Sequence, residues 1–152
     1  MKDETKKKIL LGFICVFTLL ILFIAIKINE NKKNNDLSVS LVQGYLEEVT
    51  YKDISTYVIE EPDAIIYVSN SSDNNSKKFE KKFIPLIKKY NLENKIIYIN
   101  INDTVINDLL YQNAPELIFY SGSVVNDVID VSTLSNEKQI EKLLRERSVI
   151  GD

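Results

Sequence analysis

The sequence contains no histidine, no tryptophan and a single cysteine, Cys15, among its 152 residues. Without histidine the chain cannot form a Ser-His-Asp triad, a Cys-His pair or an imidazole metal site. Cys15 lies inside an apolar stretch, so the rest of the chain can form neither a disulfide nor a reactive thiol. The four glycines form no phosphate-binding loop. We therefore expect no enzymatic activity, no catalytic residues, no metal and no small-molecule cofactor.

Acidic residues outnumber basic residues once the N-terminus is set aside. The net charge is −3, and the first eight residues carry four lysines against Asp3 and Glu4, so the remainder is acidic. An acidic domain with scattered charges argues against a nucleic-acid partner. The abundance of Asn, Lys and Ile is typical of an AT-rich bacterial genome.

One long hydrophobic run is present near the N-terminus. Residues 9–26 read ILLGFICVFTLLILFIAI, which is eighteen residues without a charge. A helix of that length spans about 27 Å, enough for the hydrocarbon core of a bilayer. A cleaved signal peptide is the alternative, but its apolar region is shorter and ends in a small-residue cleavage site. The run predicts a single transmembrane helix over residues 9–27, with residues 1–8 as a short N-terminus.

The lysines that flank this run predict its orientation. Four lysines precede it and three follow, so the positive-inside rule places residues 1–8 in the cytoplasm and the remaining domain outside. Residues 28–40 are mostly polar and are predicted to form a linker. The domain then covers residues 41–152, close to the usual size of a single domain.

Hydrophobic periodicity within the domain alternates between strand and helix. Compact apolar runs predict buried strands, and i, i+4, i+7 spacing predicts amphipathic helices. Strands are predicted at residues 49–54, 64–68, 95–101, 117–120 and 124–131. Helices are predicted at 55–59 with Ser55 as cap, at 79–90, at 104–112, and after Ser135, where Ile140, Leu143 and Leu144 share a face. The order predicts an α/β fold with one mixed sheet flanked by helices.

This order resembles that of the thioredoxin-like superfamily. The segment from Tyr67 to Glu80 is similar to the strand, loop and helix that carry the C-x-x-C motif, most of all in membrane-associated proteins of the bacteriocin transport accessory type. The resemblance places the two cysteine positions on Asp73 and Ser76, so both thiols are missing. Ala114-Pro115 resembles the cis-proline segment of the same family, and the resemblance implies a binding surface there.

Asp73 has two interpretations. A carboxylate at a helix N-terminus is stabilised by the helix dipole and can simply cap the helix, as can Ser76. The alternative is a chemical role in an enzyme of unrecognised type, for which no base partner is evident. The segment from Asp73 to Ser76 also begins like a calcium loop, but Lys77 and Lys78 occupy the next positions, and no metal is expected.

Three functions remain open from the sequence. The favoured hypothesis is a membrane-anchored, non-redox thioredoxin-like module that binds a protein partner in a bacterial envelope or transport complex. The second is a small structural subunit that acts mainly through its anchor helix. The third is the unrecognised enzyme.

The anchor leads to a direct prediction. The full-length chain should behave as an integral membrane protein because its apolar run favours the bilayer by about 4–8 kcal/mol. After carbonate extraction of expressing membranes, it should remain in the pellet at its uncleaved mass. Release of a shortened soluble form would show that the run is a signal peptide.

Overall fold

The computed structural model describes residues 16–27, 39–102 and 109–151. The chain divides into two compact units, Met1–Leu37 and Ser38–Asp152. In the first unit, residues 16–27 form helix α1, and its large apolar side chains are between 49% and 68% exposed. Among the described residues, no helix is sufficiently long and apolar to span a membrane. Part of the predicted anchor, residues 9–15, and most of the predicted linker, residues 28–38, lie outside the described residues.

The second unit is built on a five-stranded mixed sheet in the order β1-β3-β2-β4-β5. Neighbouring strands are parallel between β1, β3 and β2, whereas β4 is antiparallel to β2 and β5 is antiparallel to β4. The strands are β1 (Glu47–Glu48), β2 (Ile65–Ser69), β3 (Ile96–Asn100), β4 (Glu116–Ser121) and β5 (Val124–Asp130). The predicted mixed α/β sheet is confirmed.

Helices cover this sheet and create two apolar cores. They are α2 (Ile54–Glu60), α3 (Asn74–Tyr90) and α4 (Glu137–Glu146). Because successive strand residues point to opposite faces, Tyr67 and Ile66 of β2 enter different cores. The first core contains Tyr67, Tyr98 and Leu117 with residues of α3 and α4, and the second contains Ile66, Ile97 and Ile118 with Ile54 and Val58 of α2.

Capping side chains set where the two longer helices begin. Asp73 precedes α3 and its Oδ2 accepts a hydrogen bond from the Ser76 amide at 2.8 Å. Asn136, not the predicted Ser135, caps α4, since its Oδ1 accepts from the Gln139 amide at 3.1 Å. Ser55 was likewise wrong as a cap, because α2 already begins at Ile54.

The first predicted strand is the clearest error of secondary structure. Residues 49–54 do not form a strand: β1 ends at Glu48, and a 3-10 turn covers Tyr51–Asp53. The hydroxyl of Thr50 donates to Asp53 Oδ2 at 2.5 Å, and such short polar side chains favour turns over strand ladders. Residues 104–108 of the helix predicted at 104–112 lie outside the described part, and a 3-10 turn covers Leu109–Tyr111 near its end.

A buried carboxylate joins the start of the domain to β2 and α3. Glu80 of α3 is 0% exposed. Its Oε1 accepts hydrogen bonds from Ser40 Oγ at 2.8 Å, Ser69 Oγ at 2.6 Å and the Tyr67 hydroxyl at 3.1 Å. Its Oε2 accepts from the Leu41 amide at 2.8 Å. All four donors are uncharged, so the carboxylate is held by hydrogen bonds alone.

The Tyr67 hydroxyl is a reliable donor in this cluster. Burial, followed by the charge of Glu80, raises the pKa of Tyr67 well above its ordinary value of 10. The phenol therefore keeps its proton at every physiological pH.

We call residues 39–46 the N-terminal arm. The Glu80 carboxylate and the burial of Val42 and Leu46 hold this arm against α3.

Replacing Glu80 tests how much this hydrogen-bonded cluster stabilises the domain. Glu80→Gln keeps the side-chain shape but points an NH₂ group at groups that already donate, and it removes charge-assisted bonds worth about 1.5–3 kcal/mol. We expect urea unfolding of residues 38–152 to show a loss of that order. Glu93→Gln, at an exposed position, is the matched control and should stay within about 0.5 kcal/mol. Equal stabilities of the two variants would contradict the assigned role of Glu80.

Candidate functional site

Polar side chains fix the loop between β2 and α3, residues 70–73, to the end of β3. The Ser71 amide donates to Asn100 Oδ1 at 3.2 Å, and Asn100 Nδ2 donates to Ser71 Oγ at 3.3 Å. The Ser72 hydroxyl donates to Asn102 Oδ1 at 2.5 Å. The loop is therefore held at the carboxyl edge of the two central parallel strands, where open α/β sheets commonly bind ligands.

Asp73 and Ser76, the two positions matched to the missing cysteines, lie on either side of the first turn of α3. The Asp73 carboxylate caps the helix and is partly exposed. Ser76 is 0% exposed, and its Oγ accepts a hydrogen bond from the Asn70 amide at 3.3 Å. Ser76 is thus enclosed by protein, whereas Asp73 faces the opening next to the loop.

The predicted proline segment lies at the start of β4. The Ala114-Pro115 peptide bond is cis, as predicted from the resemblance. The Pro115 carbonyl accepts a hydrogen bond from the Val131 amide at 3.1 Å, which joins the segment to the residue after β5. Pro115 is buried and Ala114 is half-buried.

An open cavity of about 540 Å³ brings these two segments together. Asp73, Ala114 and Pro115 all line it, and Ser76 does not. The remaining lining is largely polar and comprises Asn70, Asn75, Ile101, Gln112, Asn113, Glu116, Asp130 and Ser132. We call this cavity the cleft; three of the four predicted site residues belong to it.

Two further carboxylates on the wall of the cleft were not predicted. Glu116 of β4 and Asp130 of β5 lie directly opposite each other in the antiparallel pair. Burial, and then the charge of Asp130, raises the pKa of Glu116, while a hydrogen bond from Asn113 opposes the shift. Like charges opposite each other on neighbouring strands are destabilising, so the cleft carries a local electrostatic cost.

The cleft is lined by hydrogen-bonding and anionic groups. Carboxylates and side-chain amides surround it, and they can accept hydrogen bonds and attract cations. Within the described ranges, no group of three or more Asp, Glu, His or Cys side chains is placed to hold a metal ion. The sequence contains no sulfur nucleophile after Cys15.

The chain was compared with protein families, curated proteins and solved structures. No protein-family model matches the chain, and no curated protein matches it. Among solved structures, the zinc-bound form of human ERp44 is similar, with a TM-score of 0.46 and 10% sequence identity. The alignment covers 67% of this chain and 32% of that one, so the chain spans about a third of the structure that it matches.

Removing the like-charge pair should stabilise the domain. Glu116→Gln abolishes the repulsion from Asp130, and we expect a gain of about 0.2–1 kcal/mol at neutral pH. Because the pKa of Glu116 is raised in the folded protein, the ionised form costs stability above that pKa. The gain should therefore shrink as the pH falls and vanish once Glu116 is protonated.

Urea unfolding across this pH range provides the measurement. Asp130→Asn should give a similar gain, because it removes the other half of the pair. Glu93→Gln, outside the cleft, should give no such pH-dependent gain. A loss of stability in Glu116→Gln at neutral pH would contradict the repulsion.

Proposed function

We propose that this chain is a membrane-anchored, non-redox thioredoxin-like module that binds a protein partner in a bacterial envelope or transport complex. The observation that carries the proposal is the cleft between the loop at residues 70–73 and Pro115. Of the two positions matched to the missing thiols, Asp73 lines this cleft and Ser76 is buried behind it. The cleft keeps the shape of a binding site without the sulfur atoms of a redox centre.

Binding explains the two positions better than chemistry does. The carboxylate of Asp73 accepts the Ser76 amide, and the Ser76 hydroxyl accepts the Asn70 amide. Ser76 has no exposed surface through which it could reach a substrate. Both side chains therefore order the loop and the first turn of α3, which leaves the outer rim of the cleft for contact with a partner.

The charge of the cleft suggests the chemistry of that partner. Asp73, Glu116 and Asp130 contribute carboxylates, and Asn75 and Asn113 contribute amides. An extended polypeptide with lysine or arginine side chains would relieve the repulsion between Glu116 and Asp130. Proteins retain local features that cost stability chiefly at functional sites, so the unfavourable pair supports a binding role.

The anchor belongs to the same proposal. A helix that is apolar on all sides is usually buried in a protein core or in a membrane. The described part of the run, α1, has large exposed apolar residues on every side, including Phe17, Leu20 and Phe23. We infer that the complete run at residues 9–27 spans the bilayer once and that the domain lies outside the cytoplasm.

Site-specific photo-crosslinking in cells that carry the full-length chain tests the cleft. A crosslinking amino acid at Asn75, on the exposed rim of the cleft, should capture a discrete protein partner. The control position is Ile59 of α2, which is 71% exposed and outside the cleft. Combining the Asn75 probe with Glu116→Gln and Asp130→Asn should reduce the capture, because the carboxylates attract the partner.

Two results would contradict the proposal. Identical products from Asn75 and Ile59 would show that the cleft has no preferred partner. Undiminished capture after both carboxylates are neutralised would show that their charge does not contribute to recognition.

A further inference from the structure

We propose that the lysine-rich face of α3 docks the domain onto the anionic lipid headgroups of the membrane in which the chain is anchored. The anchor is part of the proposed function, and the docking face is an additional interaction surface, none of whose lysines lines the cleft. The lysines of this face are Lys77, Lys78, Lys81, Lys82, Lys88 and Lys89.

The positive charge of the domain is concentrated on this one helix. Residues 38–152 contain twelve lysines and arginines, and six of them are in α3. The remainder of that stretch has six basic against seventeen acidic residues. The one acidic residue of α3, Glu80, is fully buried and occupied by four hydrogen bonds. The solvent face of α3 is therefore purely cationic on an otherwise acidic domain.

The lysines at the N-terminal half of the face are available to an external anion. Lys89 pairs with Glu141 at 3.5 Å, and Lys82 Nζ donates to the Leu134 carbonyl at 3.4 Å. Within the described residues, Lys77, Lys78 and Lys81 form no ion pair with a carboxylate. These clustered lysines in the N-terminal half of the helix also repel one another. An anionic surface would remove this electrostatic repulsion.

The first described residues of the domain lie against this helix. The N-terminal arm follows the linker and lies along α3: Ser40 and Leu41 bond to Glu80, and the Lys88 Nζ lies 4.6 Å from the centre of the Tyr45 ring. The thirteen residues from position 27 to position 40 can extend over at most about 45 Å. The described chain therefore enters the domain at the arm, next to α3.

The arm itself adds apolar side chains to this surface. Val39 and Leu41 are 41% and 37% exposed, although their neighbours Ser40 and Val42 are buried. Lysines beside exposed aliphatic residues suit the interface of an anionic bilayer, where apolar groups enter the headgroup boundary and the cations contact phosphate. An acidic protein would match the lysines, but neither Val39 nor Leu41 would be explained.

The test uses the full chain in vesicles with a nitroxide on the lipid headgroup. Two labelled variants are made in a Cys15→Ser background. One carries a fluorophore through Asn74→Cys on the lysine-rich face of α3, and the other through Ile59→Cys on α2. Vesicles are phosphatidylcholine alone or contain about 30 mol% phosphatidylglycerol. We expect headgroup quenching at position 74 to exceed that at position 59 several-fold on anionic vesicles, and to fall on neutral vesicles and at high salt.

A charge-matched pair of variants isolates the face. Lys77→Gln, Lys78→Gln and Lys81→Gln together should lower the ratio of docked to undocked domain on the order of 100-fold, at about fivefold for each lysine near an anionic surface. Lys52→Gln, Lys138→Gln and Lys142→Gln change the net charge equally and should preserve the quenching. An equal loss of quenching in both triple variants, or quenching at position 74 that does not depend on lipid charge, would overturn the proposal.

Flotation of the same samples separates this proposal from the anchor. A chain that fails to float with vesicles of either composition at high salt would overturn the anchor. If vesicles are then added to that chain at low salt, quenching at position 74 that depends on lipid charge would still support the docking face. Absence of such quenching would overturn the docking face as well.

Discussion

Four hydrogen bonds converge on the carboxylate of Glu80, and they join parts of the domain that are distant in sequence. Ser40 and Leu41 belong to the N-terminal arm, whereas Tyr67 and Ser69 belong to the central strand β2. A buried carboxylate is tolerable only while its donors stay in place, because each lost bond leaves a buried polar group without a partner. This requirement fixes the arm, the strand and α3 relative to one another.

The position of the cleft follows from that constraint. Ser69 is the last residue of β2, so its bond to Glu80 sets where the loop at residues 70–73 leaves the sheet. Asp73 then caps α3 by accepting a hydrogen bond from the Ser76 amide, and Asn100 and Asn102 hold the loop from the end of β3. The opposite wall, Pro115 with Glu116 and Asp130, is supplied by the β4–β5 hairpin. The cleft thus lies between one wall fixed by polar side chains and another fixed by strand pairing.

Burial of Glu80 also produces the uneven charge of the domain. An acidic residue at an exposed position of α3 would have neutralised neighbouring lysines, as Glu–Lys pairs commonly do on helices. Because Glu80 points inwards, the outer face of α3 keeps its positive charge, while the carboxylates Asp73, Glu116 and Asp130 collect at the cleft. Burial of Glu80 therefore leaves the surface proposed for lipid without an acidic residue of α3.

Much of this fold could be predicted because its central strands are buried on both faces. The runs around Ile66 and Ile97 are continuous in apolar residues, and the stripe of Phe79, Phe83 and Ile87 has a helical period. The same period also places Glu80 inside, three residues before Phe83 and seven before Ile87. That signal was available in the sequence, although nothing local showed which donors would meet the carboxylate, since Ser40 lies forty residues away.

The pair on the cleft wall could not have been predicted from local pattern. Near the turn, Ser121 pairs with Val124 and Tyr120 with Val125, a register that would place Glu116 opposite Ile129. A register shift between Phe119 and Tyr120 moves the pairing by one residue and brings Glu116 opposite Asp130. One-residue shifts reverse the faces of a strand, and the sequence carries no marker for this one. The early end of β1 has a different origin, which is the turn formed by Thr50 and Asp53.

The central claim is that Glu80 holds the arm and the cleft loop as one cooperative unit. Hydrogen exchange of the full-length chain, resolved by peptide, measures this directly in the wild type and in Glu80→Gln. The account predicts that residues 39–46 and residues 70–76 lose protection together, while the β4–β5 hairpin, which makes no bond to Glu80, keeps its own. Faster exchange confined to the arm, with the loop unchanged, would contradict it.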